Sequence, residues 1–209
     1  MEKIKRLFAR RIFKVFMWAF LVLLGLYIIL VVVRVVHFFN LDKTNAQVEK
    51  IHNTKLTLDD VMGKNLPPDP GALANQTVAG IDANNNGIRD DVELAVFKEY
   101  PNSAKTRAVL LQYALALQME FTLPILNTET ATAIIEDNNN RAHICIWSIS
   151  SRSDMKKFTT ETDKNEKFIE QLQFNTEQRK KAQDNFYTYV RSYSASNDGC
   201  DLDLTTLPN

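Results

Sequence analysis

The residues best placed to do chemistry lie in one run of twelve, Asp82-Ala83-Asn84-Asn85-Asn86-Gly87-Ile88-Arg89-Asp90-Asp91-Val92-Glu93. It fits the pattern D-x-[DN]-x-[DN]-G-x5-E at every specified position. Side-chain oxygens recur at alternate residues, Asp82, Asn84 and Asn86, and Gly87 allows the sharp turn that lets the Ile88 carbonyl face the same centre. Asp90 contributes directly or through water, and Glu93 supplies two oxygens from the first turn of a following helix. Such a loop offers the roughly 6–8 hard oxygens that Ca2+ prefers, whereas Mg2+ demands a tighter octahedron. Asp82, Asp90 and Glu93 outweigh the ion's double charge, while the neutral amides of Asn84 and Asn86 predict weaker binding than an all-aspartate loop. The competing reading is an Asn-Gly turn before an acidic helix start, because Asp90 and Asp91 favour a helix N-terminus without any metal.

Two cysteines, Cys145 and Cys200, are the next reactive groups. In an exported domain such a pair is expected to be oxidised, and closing so long a loop is worth about 3–5 kcal/mol in the chain-entropy model. His143 precedes Cys145 by two residues, a spacing that does not bring side chains together on a helix. The chain has no HExxH, GxSxG, Walker A or dinucleotide fingerprint. No catalytic residues are assigned, and the expectation leans away from an enzyme. The alternative is an envelope hydrolase acting on cell wall or glycan, with carboxylates paired only by the fold.

The elements that position these groups begin with a basic tail, 1–14, whose six basic residues face one acid. Val15 to Val33 then runs for nineteen residues without a charge, close to the ~30 Å of a bilayer's hydrocarbon core. Val35, Val36, Phe38 and Phe39 prolong it past Arg34, which can snorkel. Bulky residues stand where a signal-peptidase site would lie, so 15–39 reads as an uncleaved signal anchor and transmembrane helix. The basic tail predicts a cytoplasmic N-terminus and an exported remainder. The chain's 25 basic and 25 acidic side chains give zero net charge, which excludes a polybasic nucleic-acid binder, and no nucleic-acid partner is expected.

Residues 40–70 are polar with few apolar positions and a Leu66-Pro67-Pro68-Asp69-Pro70 stop, and they read as an irregular juxtamembrane spacer. Domain 71–209 carries loop 82–93 and four or five helices. Asp91–Tyr100 is the first. A second follows a cap at Asn102 or Ser103 and is apolar nearly all round, hence central. Thr128 caps a third, although Asn138-Asn139-Asn140 can interrupt it and ICIWSI is compatible with a strand. A fourth begins at Ser153. The fifth is capped by Thr176 and has an inner stripe of Ala182, Phe186, Tyr189, Val190 and Tyr193. Its Arg179-Lys180-Lys181 run reads as a solvated face. The fold class is therefore mainly α: one N-terminal transmembrane helix plus a small helical domain with a calcium loop.

The loop resembles the calcium loops of EF-hands, and more closely the EF-like loops of dockerins and thrombospondin type 3 repeats in exported proteins. It differs from a paired hand in placing Arg89 at the eighth loop position, usually apolar, with Ile88 at the seventh. LPPDPGALANQTVAGI upstream is not an ordinary entering helix, so the resemblance implies a single loop-helix site. PPDPG, GIDANNNGIRDDVE and YPNSAKTRA together resemble a family of uncharacterised, exported, membrane-anchored proteobacterial proteins. That likeness implies location, not activity. The resulting expectation is a bacterial inner-membrane protein with its C-terminal domain in the periplasm. It meets the lipid bilayer through 15–39, binds Ca2+, and serves as a protein-binding or accessory module, immunity- or inhibitor-like, for an unidentified periplasmic protein.

Overall fold

The structure is a computed structural model that describes residues 2–194 and 199–209, without the side chains of residues 2–12 and 137. The basic side chains Lys3, Lys5, Arg6, Arg10 and Arg11 therefore lie outside the described residues. Backbone packing divides the chain into two units, Met1–Asn45 and Ala46–Asn209. Helix makes up 69% and no strand occurs among the described residues. The first helix, α1 (Glu2–Asn53), is uninterrupted. Its segment within the first unit leaves Phe16, Trp18, Leu23, Leu30 and Phe39 more than half exposed. This is one helix long and apolar enough, by length and composition, to cross a membrane.

In the second unit, the end of α1 corrects the expectation of irregular chain after residue 40. No Gly or Pro occurs between Leu41 and Asn53, so nothing stops the helix. Ile51, Leu56 and Val61 are buried in the unit's core. The short helix α2 (Leu58–Met62) starts at a capping box between Thr57 and Asp60 and stops at Gly63, whose φ of 70° no larger residue adopts readily. The prolines then lead into a single 3-10 turn, Gly71–Asn75.

The domain is organised around α4 (Ala104–Thr122), capped by Ser103. Val109, Leu110, Leu111, Tyr113, Ala114, Leu115, Leu117 and Met119 bury side chains on every face of it. A helix apolar all round needs neighbours all round. These are α2, α3 (Asp90–Glu99), α5 (Thr128–Ile134), α6 (Asn140–Ser148), α7 (Met155–Gln173) and α8 (Glu177–Tyr187), all packed on α4. Asn127 rather than Thr128 caps α5, making a reciprocal box with Thr130. ICIWS is helical, with Ile149 as its C-cap, and the asparagine run spans the end of a π-helical segment, Ile135–Asn139, and the start of α6. Asp154 rather than Ser153 caps α7, accepting from the Lys156 and Lys157 N–H groups.

Cys145 and Cys200 form a disulfide with their Cα atoms 4.7 Å apart. It is one of several ties on the C-terminal tail. Gln112 brackets the tail, donating to the Gly199 carbonyl at 3.0 Å and accepting from the Asp201 N–H at 2.8 Å. The Asp201 carboxylate accepts from Arg141 at 2.7 Å and from the Leu56 N–H at 2.9 Å.

Candidate metal centre

Two Asx turns and a longer bracket from Asp82 shape the loop that precedes α3. The Asp82 carboxylate accepts from the Asn86 N–H at 3.1 Å and the Gly87 N–H at 2.9 Å. Asn84 Oδ1 accepts from the Asn86 N–H at 3.4 Å, and Asn86 Oδ1 from the Ile88 N–H at 2.8 Å. These turns require positive φ at Asn85 (57°) and Gly87 (84°). A Cβ at 87 would also press on Leu115. The loop closes where the Asp90 N–H donates to the Ile81 carbonyl at 2.8 Å and the Ala83 N–H donates to Asp90 Oδ1 at 3.0 Å.

Asp90 and Glu93 lie in the first turn of α3 and are 0% and 1% exposed. Asp90 Oδ2 is buried with no hydrogen-bond partner among the described residues. Burial raises the Asp90 carboxyl above the ordinary range; its bond from Ala83 opposes this, and the charges of Asp82 and Asp91 add to it. Glu93 Oε2 accepts from both Asn84 Nδ2 at 3.0 Å and Asn86 Nδ2 at 3.2 Å. Burial pushes its carboxyl up to about 7 against those two bonds, with Asp60 and Asp90 adding repulsion.

Asp82, Asn84, Asn86 and Glu93 thus belong to one hydrogen-bonded network, and Ile88 enters it through its N–H. Asp90 closes the loop from the side. Amide nitrogens point at Glu93, and among the described residues no three His, Cys, Asp or Glu side chains are grouped to hold a metal. The donor chemistry nonetheless fits a hard divalent ion. A half-turn of each Asn amide exchanges nitrogen for oxygen, and the unpartnered Asp90 Oδ2 is a carboxylate oxygen in need of a positive charge.

Several supporting residues were invisible to sequence reasoning. The Asn65 carbonyl accepts from Asn84 Nδ2 at 3.0 Å, nineteen residues away. Arg89, whose place in the pattern is usually apolar, is completely buried. It forms a fork with both Asp91 oxygens and donates to the Leu172 carbonyl at 2.6 Å and, at 3.4 Å, to that of Gln173, at the end of α7. A guanidinium there neutralises both an acid and the negative end of a helix. Ile88, also fully buried, supplies the apolar contact instead. Gly80 is required because a Cβ there would overlap the Arg89 side chain.

Arg179 corrects a second expectation. Far from lying on a solvated face, it is fully buried. It donates to the carbonyls of Ala74, Thr77 and Val78 and to the Oδ1 atoms of Asn75 and Asn175. Burial, with the nearby Arg89 charge, lowers its guanidinium to about 10. It fastens α8 to the segment leading into the loop. Outside this region, Glu120 is a further buried carboxyl. It accepts from Asn139 at 2.8 Å, Gln183 at 3.2 Å and Tyr187 at 3.4 Å.

Comparison of the chain with protein-family models, with curated proteins and with solved structures finds no match.

Proposed function

We propose that this chain is a single-pass inner-membrane protein of bacteria, anchored through 15–39 with its N-terminus cytoplasmic. Its periplasmic helical domain binds Ca2+ in loop 82–93 and acts as a protein-binding or accessory module. The observation that carries the calcium reading is Asp90 Oδ2, buried without a partner among the described residues beside a loop of oxygen donors. Asp82, Asn84, Asn86, Asp90, Glu93 and the Ile88 carbonyl would hold the ion, which would supply the positive charge that the buried carboxylates lack. Because loop and α3 are tied to α7 and α8 through Arg89 and Arg179, the ion's role is structural. Support for protein docking comes from α2, where Leu58 and Met62 stand four residues apart and are 50% and 45% exposed.

The test is thermal unfolding of the full chain in detergent with calcium or chelator. Extracellular calcium modules bind at about 10⁻⁴–10⁻³ M, so 10 mM calcium should add about 2 kcal/mol and raise Tm by about 5 °C. Asp82→Ala with Glu93→Ala should remove the calcium-dependent rise, whatever it does to Tm in chelator. A wild-type chain indifferent to calcium would reject the site. Photocrosslinking from Leu58 and Met62 in native membranes tests the docking face.

A further inference from the structure

A second, unrelated site lies between α6 and α7. Two helical ladders line it: His143 and Trp147, four apart on α6, and Phe158 and Glu166, two turns apart on α7. Ile144 and Asp163 complete a cleft of about 500 Å³, within the size range of small-molecule sites. Trp147 stays 39% exposed beside it. Glu166 Oε1 takes two hydrogen bonds, from His143 Nδ1 at 2.9 Å and from Trp147 Nε1 at 3.2 Å. The bonds fix a carboxylate in the wall of an aromatic cleft. Burial opposes its charge, but the His143 and Trp147 bonds prevail and hold Glu166 below the ordinary range, so it is ionised at neutral pH.

We propose that this cleft binds an organic cation carried on an apolar body, a quaternary or alkylated ammonium, between the Trp147 and Phe158 rings and the Glu166 and Asp163 carboxylates. The two kinds of wall demand opposite properties of an occupant. Aromatic and aliphatic surface calls for apolar bulk, and a standing negative charge calls for a cation. An alkylated ammonium has both, and aromatic faces attract it further through their quadrupoles. The Arg152 guanidinium already lies 5.7 Å from the centre of the Phe158 ring, so an occupant shares or displaces a contact which that ring makes with a cation. Among the described residues Asp163 pairs with Lys167 alone, at 4.0 Å with both side chains more than half exposed and solvent-screened, so its charge remains open to a ligand. The region after residue 39 carries 18 basic and 24 acidic side chains, a field that draws cations inward.

The chain has two tryptophans, and Trp18→Phe leaves Trp147 as the sole reporter. The full-length Trp18→Phe chain, in a polyoxyethylene detergent free of ammonium groups, is titrated with choline chloride against sodium chloride of equal strength. A saturable fluorescence change is expected, with a midpoint on the order of millimolar. The neutral isostere 3,3-dimethylbutan-1-ol should bind about tenfold more weakly, and so should choline to Glu166→Gln. Because Glu166→Gln also loosens Trp147, Phe158→Leu provides a variant that leaves that bond alone, and it too should weaken binding. Phosphocholine, whose phosphate meets two carboxylates, should bind more weakly than choline. A response no different from sodium chloride would overturn the proposal. So would equal binding of the isostere, wild-type midpoints in both variants, or a preference for phosphocholine, which would indicate a lipid headgroup instead.

Discussion

Glu120 sits in α4, the apolar central helix of the domain, and its environment sets a pH dependence. Burial pushes its carboxyl up to about 7, against bonds donated by Gln183, Asn139 and Tyr187. An unfolded glutamate titrates near 4.5. Between those values the folded state holds a proton that the unfolded state has released, so stability falls as pH rises across the window. The full span corresponds to about 3 kcal/mol. Glu93 titrates in the same window, so the signal must be taken as a difference. Denaturant unfolding of wild type and Glu120→Gln from pH 4 to pH 8 should give curves that diverge, the variant gaining relative stability as pH rises and levelling off above pH 7. Parallel curves would show that Glu120 is not buried as described. None of this was legible in LALQMEF, where Glu120 reads as one polar position on an apolar helix. Its partners come from the π segment and from α8, and a π turn changes which face an asparagine presents.

At the scale of elements, the legible parts were those with local causes. The end of α3, both ends of α4 and the start of α8 follow from caps and prolines written in the chain, and the apolar circumference of α4 announced its central place. The expected inner stripe of the last helix is corrected beyond Phe186: α8 stops at Tyr187, and Tyr189 and Tyr193 lie outside it, exposed. The loop's alternating oxygens and Gly87 are also local, since each of their side-chain-to-backbone bonds closes within five residues. What the sequence concealed is long-range. Arg179 looks like its neighbours Lys180 and Lys181, yet its acceptors lie about a hundred residues upstream. Ile51, Leu56 and Val61 are too sparse to suggest a core until α4 is placed beneath them. The distinction can be measured. Arg179→Met should cost about 3 kcal/mol, because it leaves several buried acceptors without donors. Lys180→Met should stay within about 0.5 kcal/mol, since that side chain is exposed and pairs only with Glu177. Equal, small effects in urea denaturation would mean that Arg179 is solvated after all.

For the whole molecule, the zero net charge divides into +6 over residues 1–39 and −6 over the remainder. The proposed orientation and the disulfide then become one question. A bridge between Cys145 and Cys200 persists where thiols are oxidised and is lost where they are kept reduced. The thiol state therefore reports which side of the membrane the domain occupies. If the basic tail sets the orientation, alkylation before and after reduction should find both cysteines bridged in the wild-type chain expressed in a bacterial inner membrane. Replacing Lys3, Lys5, Arg6, Arg10, Arg11 and Lys14 together with Asn removes the positive-inside signal. A fraction of chains should then insert inverted and display free Cys145 and Cys200. That fraction should also be less stable, by about 4 kcal/mol for a loop of 55 residues. Its tail, deprived of the covalent tie but still held by Gln112 and Arg141, should be cut sooner by protease. Free thiols throughout the wild-type population would overturn the orientation, and an unchanged bridge in the neutral-tail chain would mean that some other feature directs the domain outward.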